Sequence, residues 1–262
     1  LSDYHYTIDN DRTLPIVLFL HGFLGSSEDF DSVVALLPHH CCLRIDLPGH
    51  GNTQVTGGED AYAIAPTAIA IVDLLDHLNI PQAYLVGYSM GGRLALYLAL
   101  HYCDRFPKVL LESASPGLKT EAERVARRDH DFQLAKRLES DFPKFLADWY
   151  NQPLFQSLKH HPDFENMVQK RLKNNPMELA KSLRAMSTGM QPSLWKKLKY
   201  YQNPLLLVVG ERDRKFITIN QEMVLADIAI PSLRSMQIAP NAGHNIHLEN
   251  PEFIASCIHH FF

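Results

Sequence analysis

The sequence predicts an α/β protein: a mostly parallel central sheet flanked by helices, with a helical insertion between the two halves of the sheet. Three observations point to it. Short continuous apolar runs at Ile16–Leu20, Cys41–Ile45, 83–86 and 205–209 are bounded by Gly or Pro, and each opens into a polar loop. Runs of this kind are what strands buried on both faces look like, which means a parallel sheet. Helical periodicity fills stretches between them, and from 116 to 199 it continues with no strand alternating with it. A further strand, loop and helix unit then follows at Leu205. That order favours a single domain, with a core of 1–115 and 200–262 and an inserted helical lid of 116–199, over two separate domains.

Taken in order, the first run leads into His21-Gly22-Phe23-Leu24-Gly25, and His21 is expected to order that loop. The second leads into Asp46-Leu47-Pro48-Gly49-His50-Gly51. Residues 67–78 place Ile71, Leu74, Leu75 and Leu78 on one helical face and stop before Pro81. The run 83–86 enters Gly87-Tyr88-Ser89-Met90-Gly91, and 92–100 leaves it as a helix. Val109–Glu112 reads as a strand opening into Ser113-Ala114-Ser115-Pro116-Gly117. The insert holds a highly charged helix, 121–138, then shorter amphipathic pieces at Phe142–Tyr150, 163–172 and 177–186, punctuated by Pro143, Pro153, Pro162, Pro176 and Pro192. There is no internal repeat and no low-complexity tract.

At 262 residues the chain is long enough to bury about three quarters of its unfolded surface. Hydrophobic residues make up 46% and charged residues 21%, ordinary values for a soluble globular protein. No apolar run approaches the roughly 18 residues of a membrane span. The first ten residues are polar and mixed, unlike a secretory leader, and the start at Leu1 rather than Met suggests a trimmed or partial N-terminus. Cys41, Cys42, Cys103 and Cys257 have no C-x-x-C spacing, so buried thiols in a reducing, cytoplasmic setting are expected. The net charge of −4 hides an asymmetry: residues 117–199 hold 16 Lys and Arg against 10 Asp and Glu, and the remainder holds 9 against 19. A basic insert in an acidic body points to an anionic ligand. Nucleic acid is a poor candidate, because no basic run carries interleaved aromatics.

The pattern Gly87-Tyr88-Ser89-Met90-Gly91, with a strand before and a helix after, fits the nucleophile elbow G-x-S-x-G. A serine hydroxyl is a weak nucleophile and a weak base until an imidazole accepts its proton, and that imidazole needs a carboxylate to fix its tautomer. Asp213 follows the run 205–209 closely, and His244 lies in the glycine-marked loop Pro240-Asn241-Ala242-Gly243-His244-Asn245. They fall in the chain order Ser, Asp, His. Glu211 is the rival acid and His247 the rival base. Two backbone N–H groups are required to hold developing negative charge. Met90, directly after the serine, and Phe23, after the first strand, are the candidates.

With these five segments in place, including Gly210-Glu211-Arg212-Asp213 and Ala242-Gly243-His244, the chain resembles the α/β-hydrolase superfamily from end to end. A narrower likeness lies in the insert, where Ser115-Pro116-Gly117-Leu118 precedes an Arg-rich helix and Ala147-Asp148-Trp149-Tyr150-Asn151-Gln152-Pro153-Leu154-Phe155 follows. These segments are similar to those of the 2-succinyl-6-hydroxy-2,4-cyclohexadiene-1-carboxylate synthases of menaquinone and phylloquinone biosynthesis. The resemblance implies a pyruvate-eliminating lyase acting on a small polyanion, with Ser89 as the base and His244 and Asp213 activating it. It also implies substrate contacts from Tyr88, Arg93, Arg127, Trp149, Arg171 and Lys215; Arg124 is a near neighbour of Arg127 on the same helix. No metal or other cofactor is expected, since no His, Asp and Glu cluster has ligand spacing. The alternatives are a carbon-carbon bond or ester hydrolase of the same fold, needing fewer lid cations, and a non-catalytic receptor built on a hydrolase scaffold.

Overall fold

The computed structural model describes residues 3–226 and 233–262. Among them seven strands form one sheet: β1 (Tyr6–Asp9), β2 (Ile16–Leu20), β3 (Cys41–Ile45), β4 (Tyr84–Tyr88), β5 (Val109–Glu112), β6 (Leu205–Gly210) and β7 (Arg234–Ala239). Their spatial order is β1-β3-β2-β4-β5-β6-β7, with β1 antiparallel to β3 and every other pair parallel.

The apolar runs are continuous because both faces of the sheet are covered. Leu18, Leu20, Leu85, Leu111, Leu205 and Leu207 enter the cluster on one face, while Val17, Phe19, Val86, Leu110, Leu206 and Val208 enter the cluster on the other. Side chains alternate across a strand, and burying each such side chain is worth about 1.5–3 kcal/mol. The two outer strands break this rule. All of β1 is half-buried, and in β7 only Arg234 and Ala239 are buried, so neither shows an apolar run and neither was expected from sequence.

The flanking helices of the core are α1 (Asp31–Val34), α2 (Ile64–His77) and α3 (Ser89–His101), followed after the insert by α9 (Arg214–Leu225), α10 (Ile246–Glu249) and α11 (Pro251–Phe261). Helix α2 begins three residues earlier than its periodicity suggests, because Pro66 sits in the first turn, where a missing N–H has no intrahelical partner to lose.

Between β5 and β6 lie α4 (Glu121–Ser140), α5 (Phe142–Tyr150), α6 (Phe164–Arg171), α7 (Pro176–Ala185) and α8 (Trp195–Leu198). The charged α4 starts with a capping box: the Glu123 N–H donates to Thr120 Oγ1 and the Thr120 N–H donates to Glu123 Oε2 at 2.8 Å. Leu138, Phe145, Leu146, Leu158, Met167 and Leu179 close a separate small core over Leu24 of the β2 loop. The sequence boundary at 199 is less sharp in space, since Met186, Leu194 and Leu198 pack with the main core.

Candidate active site

The elbow forms at the end of β4. Ser89 has φ +50°, in the left-handed region that costs a non-glycine residue energy and is tolerated only where surrounding structure fixes it. Two glycines make the turn possible. A Cβ on Gly87 would lie 2.6 Å from the Gly91 carbonyl oxygen and 2.8 Å from Gly92 Cα, and one on Gly91 would overlap the carbonyls of Leu20 and His21. The start of α3 is thereby pressed against the end of β2, which brings Met90 beside the Phe23 loop. Both residues line the cleft with Ser89. Met90 is the second residue of α3, so its N–H is one of those without an intrahelical acceptor. His21 orders the Phe23 loop as expected: its Nε2 accepts from Leu47 N–H at 2.9 Å and its Nδ1 lies 2.7 Å from the Gly22 carbonyl. Burial, only partly offset by Asp29 and Asp46, keeps this imidazole below its ordinary pKa.

Asp213 ends the β6 loop and caps α9, its Oδ1 accepting the Phe216 N–H at 3.2 Å. Close approach of Gly210 to the Ala242 and Gly243 carbonyls and the Arg212 N–H bond to the Ala242 carbonyl at 2.9 Å hold the β6 and β7 loops together. His244 consequently has Nδ1 2.6 Å from Asp213 Oδ2 and Nε2 3.0 Å from Ser89 Oγ. With Nδ1–H directed at the carboxylate, Nε2 is free to accept the serine proton. His244 and Asp213 are 2% and 4% exposed, so water does not compete for the bond between them.

The rivals are occupied elsewhere. Glu211 accepts the Asn241 N–H at 2.8 Å. His247 is bound to Glu112 through both its backbone N–H and Nδ1, the latter at 2.8 Å. Burial would lower the His247 pKa, but the charge and hydrogen bond of Glu112 override it and hold it above the ordinary value.

A cleft of about 400 Å³ opens over Ser89 and His244. Its floor is the core, its roof the insert. Of the expected contacts, Arg93, Arg127, Trp149 and Lys215 line it. The three cations crowd one another. Burial first, then Arg127, pushes Arg93 down to about 10 against a partial offset from Asp131, and burial followed by Arg127 lowers Lys215. An anion bound among them would relieve this repulsion. Arg127 gives its Nε to Asp131, 2.8 Å from both carboxylate oxygens, which leaves its terminal nitrogens for another partner.

Tyr88 and Arg171 are placed differently from the expectation, for neither lines this cleft. The Tyr88 ring fills the space that Gly22 leaves by having no Cβ, and it packs behind the His244 and His247 rings at centroid distances of 5.4 and 4.5 Å. Arg171 is buried and its guanidinium is gripped by both oxygens of Asp29, at 2.5 and 2.8 Å. That bidentate pair commits both terminal nitrogens to Asp29, away from the cleft. Arg124 is turned to Glu121.

Several lining residues were not foreseen. Phe155 and Phe216 flank the His244 ring at 5.8 and 4.7 Å, and Lys119 and Trp195 stand at the two ends of the insert. Phe155 lay within a recognised segment. The others carry no motif, and only the fold brings them to the cleft.

The class follows from this geometry: a serine elbow, aspartate and histidine beyond the C-terminal ends of the parallel strands β4, β6 and β7. A family model described as alpha/beta hydrolase fold matches residues 15–251. A Bacillus subtilis protein provisionally named a 2-succinyl-6-hydroxy-2,4-cyclohexadiene-1-carboxylate synthase is 38% identical over 248 residues, covering 94% of this chain and 89% of that one. An Enterobacter protein named as that synthase is 35% identical, over 93% of this chain and 90% of its own. The solved structure of MenH from S. aureus superposes with a TM-score of 0.91 at 33% identity, covering 98% of this chain and 97% of that one. The chain belongs to the 2-succinyl-6-hydroxy-2,4-cyclohexadiene-1-carboxylate synthase family, within the α/β-hydrolase superfamily.

Proposed function

We propose that the protein eliminates pyruvate from 2-succinyl-5-enolpyruvyl-6-hydroxy-3-cyclohexene-1-carboxylate, giving 2-succinyl-6-hydroxy-2,4-cyclohexadiene-1-carboxylate. The observation that carries this reading is the joining of an assembled Ser89, His244 and Asp213 relay to a cleft lined by Arg93, Arg127 and Lys215. A simple ester needs the relay but not three crowded cations. A substrate with several carboxylates uses both.

Ser89 Oγ takes the proton from the ring carbon beside the succinyl ketone while passing its own proton to His244 Nε2. The electron pair of that C–H bond forms a ring double bond, the existing ring double bond shifts along by one position, and the carbon-oxygen bond to the enolpyruvyl group breaks. The leaving enolpyruvate collects the proton and becomes pyruvate. Negative charge on the ketone oxygen during this shift is met by the Phe23 and Met90 N–H groups. Proton abstraction suffices, so no acyl-enzyme forms. Asp213 keeps the imidazole in its accepting tautomer. Arg127 and Lys215 from the roof and rim, and Arg93 from the floor, pair with substrate carboxylates, and Trp149 covers the ring. A cytoplasmic setting accords with Cys41, Cys42, Cys103 and Cys257 all being free thiols. Among the described residues no helix is long and apolar enough to cross a membrane.

The test is pyruvate release from the purified protein, coupled to lactate dehydrogenase, with no metal or nucleotide added. A rate no higher than that of the uncatalysed reaction would remove the lyase reading. Hydrolysis of simple esters at a higher kcat/KM would favour the hydrolase alternative.

A further inference from the structure

The two arginines of the cleft come from opposite sides of it, Arg93 from α3 of the core and Arg127 from α4 of the insert, and a single turn of chain at residues 186–191 binds the first directly and the second through Asp131. Arg93 donates one terminal nitrogen to the Met186 carbonyl at 2.8 Å and the other to Gln191 Oε1 at 2.7 Å. Arg127 donates Nε to Asp131, and Asp131 in turn accepts the Ser187 hydroxyl at 2.7 Å. The Ser187 oxygen accepts the Gly189 N–H at 3.0 Å, which closes the turn on itself. Gly189 lies so close to the backbone of Arg124 and Arg128 that a Cβ there would sit 2.6 Å from the Arg128 nitrogen, so the turn is clamped onto α4. Asp131 has no exposed surface, and Ser187 and Gln191 are each 2% exposed. These groups are therefore held in place rather than solvated, and Asp131 and Ser187 line the cleft itself.

We propose that Asp131, Ser187 and Gln191 form a bracket that fixes Arg93 and Arg127 relative to each other, acting as positioning residues for the substrate carboxylates; this rests on the reading of the cleft given above. An unrestrained arginine loses rotamer freedom when it clamps a ligand. Here that ordering is done during folding. The mutual repulsion of two cations would otherwise drive them apart, and the bracket opposes it with one buried carboxylate and two neutral acceptors. Asp131 has a second effect, since of the charged groups acting on Arg93 it raises the pKa whereas Arg127 lowers it, with Lys215 lining the same cleft.

The experiment compares wild type with Ser187→Ala, Gln191→Leu and Asp131→Asn, measuring KM and kcat for pyruvate release across pH, and Tm for each. A bracket predicts KM raised about tenfold, the worth of one hydrogen bond to a charged group, with kcat within about threefold of wild type. Asp131→Asn should also bring the alkaline rise in KM to lower pH, because Arg93 loses the carboxylate that sustains its charge. A merely structural role would lower Tm without moving that pH limb. Unchanged KM in all variants that retain wild-type Tm would overturn the proposal, as would kcat and Tm falling together with KM constant. Should wild type release no pyruvate, the functional reading falls, and calorimetric titration with succinate decides on the bracket alone: a Kd raised about tenfold in Ser187→Ala and Gln191→Leu supports it, and an unchanged Kd overturns it.

Discussion

The floor and the roof of the cleft are built by different means. On the floor, Ser89, Asp213, His244 and Met90 each sit within a residue or two of a strand or helix end, and backbone contacts through Gly87, Gly91 and Gly210 set where they point. On the roof, the cations of the insert are aimed by other side chains, near or far along the sequence, as when Asp131 takes Arg127 or Asp29 takes Arg171. Backbone-built geometry tolerates almost no substitution but is specified locally. Side-chain-built geometry can divert a residue from one role to another, and Arg127 and Arg171 illustrate it: one shares a single nitrogen with a buried carboxylate and faces the cleft, while the other is closed off by a bidentate pair.

Substitutions can break this contrast. Ser89→Ala should have the largest effect, lowering kcat by about 10⁴-fold, the upper end for loss of a positioned base, while calorimetry still detects substrate binding; turnover near wild type would remove Ser89 from the mechanism. The two histidine-carboxylate pairs offer the next test. Asp213→Asn should cost roughly 10³- to 10⁴-fold in kcat by imposing the wrong tautomer with little change in Tm, whereas Glu112→Gln should lower Tm and leave kcat of the folded protein within several-fold of wild type. The reverse pattern would mean that His247, not His244, is the working base.

Third, Arg171→Ala strands Asp29 without its partner, and breaking a buried pair typically costs about 3–5 kcal/mol, so urea unfolding should show the loss while KM of the folded enzyme holds. Arg127→Ala should instead raise KM and lower kcat by a combined factor of about 10–100, with a smaller loss of stability, because the buried Asp131 keeps the Ser187 hydroxyl. Equal KM effects from the two would erase the distinction drawn here. The smallest effect concerns pH. Burial would raise the Asp29 carboxyl, but the Arg171 charge and hydrogen bonds outweigh it and hold the group below the usual carboxylate range. Its stabilisation is therefore complete above the ordinary carboxylate pKa and is lost as pH falls through the lowered one. Asp29→Asn should flatten the acid limb of Tm against pH relative to wild type.

Legibility in the sequence followed the same division. The strands buried on both faces, the elbow and the order of Ser89, Asp213 and His244 could be read because each is a local pattern of glycine, apolar run and loop. Strands β1 and β7 escaped because they lie at the edges of the sheet, where most of their residues stay half-buried or exposed and need not be apolar. Met90 and Phe23 reach the cleft at positions read from the elbow and the loop after the first strand, and Arg93, Arg127, Trp149 and Lys215 at positions named from family likeness. Arg171 did not, since its partner Asp29 lies 142 residues away and nothing near Arg171 announces it. Phe216 and Trp195 were invisible for a related reason: an aromatic becomes part of a binding surface only when distant segments meet around it.

One feature of the insert reaches beyond this reaction. Its departure and return are stitched together, the Leu194 N–H donating to the Pro116 carbonyl at 2.8 Å and Trp195 Nε1 to the Gly117 carbonyl at 2.9 Å. To the sheet, everything between those bonds is a closed loop whose length matters little, each doubling costing only about 0.6 kcal/mol of closure entropy. The chain thus carries a docking port at which one cassette can be exchanged for another. A grafted roof would have to replace two contacts that the present one makes below it, the Arg171 pair with Asp29 and the Phe155 ring against His244.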